Sequence, residues 1–240
     1  MSADQSTSWS RLRQPVQGFR YGIDSLLLAR FAKINPEDKV CDLGCGVGII
    51  GQVLLTKKKA GQVVGLDIQK DLISLAEENA ALLGVEARFQ AIHASWQQVQ
   101  EHFKPKSFQV VISNPPYYRP QHGLVPPQNS KAIAKHEISG TMEDLIAASA
   151  FLLKSSGRFY LMYPPLRLEE LIAKLNAKGF KIQRMAMIHP YLDKPATLVM
   201  VECVKAMNRE LILEAPVIVY RDPEHYTAEV EAWVGKKRRV

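Results

Sequence analysis

The sequence predicts an α/β fold: a doubly wound sheet, mostly parallel, with helices on both faces. Three observations predict it. Short apolar runs alternate with longer segments that carry apolar residues at helical spacing, which is the order of βαβ units. Runs such as "VVGL" and "VVIS" are apolar on consecutive residues, as suits strands covered on both faces. A turn crowded with glycine, "DLGCGVGIIG", follows the first such run.

The elements follow in order. "YGIDSLLLARFA" predicts a helix ahead of the sheet, with Asp24 as its N-cap. "KVCDL" is the first strand and "IIGQVLLTKK" the helix behind it. "QVVGLDI" is the second strand. "KDLISLAEENAALLG" is a helix with Leu72, Ile73, Leu75, Ala76, Leu82 and Leu83 on its apolar positions, stopped at Gly84. "EARFQAIHA" and "FQVVIS" are strands three and four. After a Pro-rich loop, "MEDLIAASAFLL" is helical, "GRFYLMY" is strand five and "LRLEELIAKLNAKGF" the next helix. "KIQRMAMIH" and "TLVMVECVK" have no helix between them, so they are expected to pair antiparallel at one edge, making the last strand antiparallel.

Composition narrows the class. The chain has 240 residues, 47% hydrophobic, enough for one well-buried domain. We expect a flexible tail over 1–18, a single domain over 19–235 and a basic tail over 236–240. No apolar run is long enough for a membrane span, and no signal peptide is read at the start. Cys41, Cys45 and Cys203 show no C-x-x-C spacing and have no histidine-rich set near them. This argues against structural metal and a disulfide framework, and for a reducing cytoplasm. The net charge of +7 favours a polyanionic partner. Lys57, Lys58 and Lys59 read as a solvated helix end. Arg158, Arg167 and Arg184 read as surface charges.

The glycine turn carries chemistry. Gly44, Gly46, Gly48 and Gly51 lie at the carboxyl end of the first strand, where a doubly wound sheet binds ligands. Asp67 ends the second strand, placed to accept both ribose hydroxyls of an adenosine-like ligand. Two ligands compete. Gly46-x-Gly48-x-x-Gly51 formally matches a dinucleotide fingerprint, with pyrophosphate on the helix N-terminus. S-adenosylmethionine instead brings a sulfonium and an amino-acid end, and Asp42 would stand opposite its ammonium, directly or through water. A carboxylate there would repel the phosphates of a dinucleotide, so the methyl donor is preferred. The glycines alone would fit a plain tight turn; Asp42 and Asp67 weigh against that. Cys41 and Cys45 read as small packing residues. "DLGCGVG" resembles the first motif of class I methyltransferases, which implies a Rossmann-like fold.

Strand four delivers "SNPPYY" to the same sheet edge. The residue before a proline is held extended and each proline fixes its own φ, so Asn114-Pro115-Pro116-Tyr117 is stiff. An exocyclic amine is a poor nucleophile because its lone pair is delocalised into the ring. The Asn114 side-chain oxygen and the Pro115 carbonyl can both accept from that amine, favouring a pyramidal nitrogen aimed at the donor methyl. Tyr117 can stack on the base. The base must be flipped or single-stranded to be reached. Asn-Pro by itself is an ordinary turn signal.

Placed after strand four, "NPPY" resembles the (D/N/S)-P-P-(Y/F/W) motif of amino-group methyltransferases. Their substrates are adenine N6, cytosine N4 or a release-factor glutamine. With "FRYGIDSLLLARFA", "AIAKHEISGTMEDLIAASAFLLKSSGRF", "HPYLDKPATLVMVECVK" and "PVIVY…EHYTAEV" in this order, the chain resembles the bacterial tRNA adenine N6-methyltransferase family that modifies valine tRNA beside the anticodon. That resemblance runs from about Phe19 to near Trp233. It implies adenosine 37 of tRNA as target, with Asn114, Pro115, Pro116 and Tyr117 at the target amine. It makes Gly44, Gly46, Asp67 and Ile68 donor contacts, beside Asp42, lines the pocket with Tyr21, Gly22 and Asp24, and sets Asn114 against the donor as well as the target amine. One position departs from the pattern: Ser95 stands where relatives often carry an aspartate that accepts from the donor adenine.

His136 and Glu137 read either as an acid–base pair or as loop residues shaping the entrance. His189-Pro190 and Lys194-Pro195 fall in a loop suited to RNA contact or plain solvation. The alternatives within the chemistry are DNA, rRNA and protein glutamine. A non-catalytic RNA-binding module on the same fold is the alternative outside it.

Overall fold

The computed structural model describes residues 9, 12–15, 22–116, 140–205 and 210–234. Helix α1 (Ile23–Phe31) precedes the sheet. Then come β1 (Lys39–Leu43), α2 (Ile49–Thr56), β2 (Gln62–Asp67), α3 (Lys70–Leu82), β3 (Phe89–His93), the short α4 (Val99–His102) and β4 (Phe108–Ser113). The second half contributes α5 (Met142–Leu152), β5 (Leu153–Tyr163), α6 (Leu168–Ala177), β6 (Phe180–His189) and β7 (Leu198–Lys205). Short strands β8 (Ile212–Leu213), β9 (Val217–Ile218), β10 (Tyr220–Asp222) and β11 (His225–Tyr226) and helix α7 (Ala228–Val234) close the chain.

The sheet order is β3-β2-β1-β4-β5-β7-β6-β8, with β9 also on β6. Strands β1 to β5 pair in parallel, and β7 runs antiparallel between β5 and β6. The expected antiparallel pairing of the last two long strands therefore holds, but β7 is internal. The edge is covered by β8 and β9, which pair in parallel with β6. Inserting β7 there lets its apolar run bury both faces: seven of its eight residues are buried.

Alternation along each strand fills two cores. Val40, Val63, Val110, Ile112, Tyr160 and Met162 face α1, α2 and α3. Cys41, Val64, Val111, Phe159 and Leu161 face α4, α5 and α6. Because β1 to β4 are parallel, their carboxyl ends share one edge, which brings the glycine turn, Asp67 and Asn114 together.

Three local expectations are corrected. Asp24 is not the N-cap of α1: Gly22 takes that place without a side-chain cap, and Asp24 sits in the first turn, where a carboxylate suits the helix dipole. Within the segment expected to be a free tail, Trp9 and Leu12 are buried, and Arg13 and Asn79 exchange backbone–side-chain hydrogen bonds of 2.7 and 3.0 Å. Arg184 is not a surface charge. It is 4% exposed, and its guanidinium donates to Glu202, Glu214 and the Phe31 carbonyl while lying 3.8 Å from the Phe31 ring centroid. Arg158 likewise reaches buried Asp38 at 2.6 Å. Tyr21, Tyr117, His136, Glu137 and the tail 236–240 lie outside the described residues.

Candidate active site

The glycine turn folds back over the end of β2. The amides of Gly44 and Cys45 both donate to the Leu66 carbonyl, at 2.8 and 2.9 Å, and the Gly46 amide donates to Asp67 Oδ2 at 2.9 Å. Gly46 has φ +55°, and a Cβ there would meet nothing within 4 Å, so the turn leaves open space on that side. Gly48, at φ +81°, starts α2, and a Cβ there would lie 2.7 Å from Gln52 Nε2 and 2.9 Å from Phe89 Cζ. The turn is thus forced both by left-handed backbone and by close packing behind it.

Two carboxylates stand beneath this turn. Asp67 is 8% exposed; its Oδ1 accepts from the Gln69 amide at 2.9 Å. Burial raises its pKa, and the two amide bonds oppose the rise. Asp42 is fully buried, and among the described residues neither of its oxygens has a hydrogen-bond partner. Burial pushes its pKa up to about 7; the Gly51 amide opposes this without closing a hydrogen bond, and the nearby Asp67 charge adds to the rise. An unpaired buried carboxylate is costly, so a cationic group is the partner this site calls for. A pyrophosphate would add to its cost. Burial also pushes the Cys41 and Cys45 thiols well up, in keeping with packing roles.

Across the gap, Ser113 Oγ donates to the Leu43 carbonyl at 2.6 Å and ties the ends of β4 and β1 together. Asn114 follows. Its Nδ2 donates to Ser25 Oγ at 3.2 Å, while its Oδ1 is buried without a partner among the described residues. A hollow lined by Ser25, Gly44, Gly46, Leu72 and Asn114 joins the two halves of the site. Pro115 is buried and Pro116 exposed. On their other side lies a cleft of about 230 Å³, walled by Trp96, Pro115, Pro116, Gly140, Tyr163 and Arg167.

The remaining predicted residues fall around this frame. Ile68 follows Asp67, and its carbonyl lies 2.9 Å from His93 Nε2. Ser95 lies past the end of β3 and caps a short turn of helix, its Oγ accepting from the Gln97 amide at 3.2 Å. Asp24 lies close enough to Tyr220 and Tyr226 to add to the rise that burial gives their phenols. The spatial neighbours that sequence reasoning missed are Ser25 and Trp96. Trp96 is 5% exposed, its Nε1 has no partner among the described residues, and its ring lies 3.4 Å from where a Cβ on Gly44 would be.

Among the described residues, no group of three His, Cys, Asp or Glu side chains could hold a metal, and no helix is long and apolar enough to cross a membrane. A parallel sheet with a glycine turn, an acidic strand end and an Asn-Pro-Pro segment at one edge defines a methyltransferase of the Rossmann-like class. The chain belongs to the methyltransferase small domain family, whose model matches residues 22–178. Among curated proteins, it is 25% identical over 210 residues to a tRNA1(Val) (adenine(37)-N6)-methyltransferase of Dyadobacter fermentans, covering 87% of this chain and 85% of that one. It is 24% identical to the enzyme of the same name from Proteus mirabilis, covering 90% and 85%. Among solved structures, a predicted O-methyltransferase from Agrobacterium tumefaciens superposes with a TM-score of 0.69 at 23% identity, covering 88% of this chain and 95% of that one. That likeness speaks to the fold.

Proposed function

We propose that this protein transfers a methyl group from S-adenosylmethionine to the exocyclic N6 amine of an unpaired adenosine in tRNA, at position 37 beside the anticodon of a valine tRNA. The observation that carries the reading is Asn114 Oδ1: a buried acceptor with no partner among the described residues, at the end of β4 and beside the glycine turn. The relatives named for this reaction support the choice of substrate.

The donor site fits the group. Asp67 would receive the ribose hydroxyls, Gly44, Gly46 and Ile68 would line the donor, and Asp42 would stand opposite its ammonium. Ser95 offers the adenine a hydroxyl, a weaker contact than a carboxylate. The family resemblance also assigns Tyr21, Gly22 and Asp24 to the donor pocket. When bound, S-adenosylmethionine supplies an electrophilic methyl on a sulfonium. Asn114 Oδ1 and the Pro115 carbonyl accept from the target amine and draw its lone pair out of the ring plane. Pro115 and Pro116 keep that segment stiff, and Tyr117 stacks on the base. No side-chain base is needed before transfer, because the amine becomes acidic only once methylated. An anticodon-loop base suits the site because it can be splayed out without breaking a duplex. The reaction belongs in the cytoplasm, with tRNA as the macromolecular partner.

The test is transfer of labelled methyl from S-adenosylmethionine into total tRNA lacking its own modification, with DNA, rRNA and release factor run beside it. Label in tRNA alone is expected. Label in another substrate, with none in tRNA, would move the reading to that substrate.

A further inference from the structure

We propose that Ser25 is a positioning residue for the transfer: its hydroxyl holds the Asn114 amide so that Oδ1 faces the incoming amine. The proposal rests on the reading of Asn114 as acceptor of the target amine. Two prolines stiffen the backbone after Asn114, yet they leave its side chain unfixed. The terminal torsion of an asparagine is broad and roughly two-fold, so the amide needs a partner to choose an orientation. The partner is Ser25 Oγ, 89 positions earlier in the chain and 3.2 Å from Nδ2; a hydroxyl can also donate, so it is the observed direction, Nδ2 donating to Oγ, that leaves Oδ1 outward. Turned over, the amide would present N–H to a substrate N–H and offer no acceptor.

Ser25 is held to this task by a rigid element. It is 5% exposed, in a helix whose next residues, Leu26, Leu27 and Leu28, are all buried. The Trp233 indole donates to the Leu26 carbonyl at 3.0 Å and pins the same turn from α7. Ser25 and Asn114 line one hollow with Gly44 and Gly46, so the contact sits where donor and target amine must meet. A supporting side chain on a packed helix is what keeps a reacting group within a fraction of an ångström of its working position.

The test compares Ser25→Ala in two backgrounds, wild type and Asn114→Asp. An aspartate has two acceptor oxygens, so it needs no orienting partner. Ser25→Ala is expected to lower kcat ~10-fold in the wild-type background, with donor affinity and tRNA KM within ~2-fold, as for a misoriented reacting group. In the Asn114→Asp background the same change is expected to cost less than ~2-fold, because the two residues act as one unit. Equal losses in both backgrounds, or a loss that appears in donor affinity, would overturn the assignment. The NMR signals of the Asn114 side-chain amide give a readout that needs no substrate. They are expected to shift in Ser25→Ala while the other asparagine side chains hold still; unchanged Asn114 signals would also overturn it. Wild-type protein that methylates no tRNA would sink the functional reading instead, leaving the Ser25–Asn114 contact to be judged by NMR alone.

Discussion

The Asp67 carboxylate ties the end of β2 to the glycine turn, with Oδ2 on the Gly46 amide at 2.9 Å and Oδ1 on the Gln69 amide at the same distance. A carboxylate has about four lone-pair sites, so with the two amides and the Gln69 side chain on it, Asp67 can shape the turn and still receive a ribose hydroxyl. Asp67→Ala removes both functions. It is predicted to weaken S-adenosylmethionine binding by ~100-fold, the scale of two charge-assisted hydrogen bonds. Calorimetric titration checks this, and unchanged affinity would contradict it.

Asn114 acts on the other partner. Asn114→Ala is predicted to lower turnover by ~100-fold or more, the size seen when a positioned polar group at a reacting centre is lost. Donor affinity should stay within ~3-fold, since no donor contact depends on Oδ1. Parallel single-turnover and binding measurements separate the two; equal loss in both would contradict the role.

Asp42 gives a pH signature. Its carboxyl titrates near 7 when folded, against about 4 in the unfolded chain. The folded state therefore binds the extra proton between those values, and stability from this group is full at low pH and lost as pH rises through about 7. Asp42→Asn is predicted to raise the Tm of the ligand-free protein at about pH 8 and to change it little near pH 4. A donor ammonium favours the ionised form, so wild-type donor affinity should rise from about pH 6 to about pH 8 and stay flat in Asp42→Asn. Melting curves and titrations at these pH values check both; parallel profiles for the two proteins would refute the assignment.

The buried pair of Arg184 and Glu202 holds β6 and β7 to α1. Both side chains are nearly fully buried, with a 2.8 Å contact, and Arg184 also caps the Phe31 carbonyl at 2.6 Å. Arg184→Ala leaves Glu202 buried beside an empty site and is predicted to cost ~3–5 kcal/mol of stability. Denaturant unfolding measures it, with donor affinity at low temperature expected to hold. A loss under ~1 kcal/mol would mean the pair is replaceable by solvent.

What was legible in the sequence was what is local. "KVCDL" and "FQVVIS" became β1 and β4 without a shift in either boundary, because both begin beside polar loop residues and end where the ladder cannot go on, at Gly44 with φ +77° or ahead of Pro115, which has no N–H to donate. The shared edge of Gly46, Asp67 and Asn114 followed from strand order, since parallel strands stack their carboxyl ends. Long-range pairing was not legible. Nothing near Ser25 or Asn114 marks a contact across 89 positions. Arg184 looks like any charged strand residue until β7 is placed beside β6, which puts Glu202 opposite it. Asp24 was misread because an acidic residue in the first turn and one at the N-cap leave the same trace in sequence.

Methyl transfer to an adenosine amine beside the anticodon is open to direct chemical detection. Valine tRNA lacking its own modification is incubated with S-adenosylmethionine and either the wild-type protein or Asn114→Ala, digested to fragments, and its nucleosides identified by mass spectrometry. N6-methyladenosine is expected only in the fragment holding position 37, formed by the wild type and nearly absent with Asn114→Ala. A methyl group on any other base, or equal product from both proteins, would contradict it.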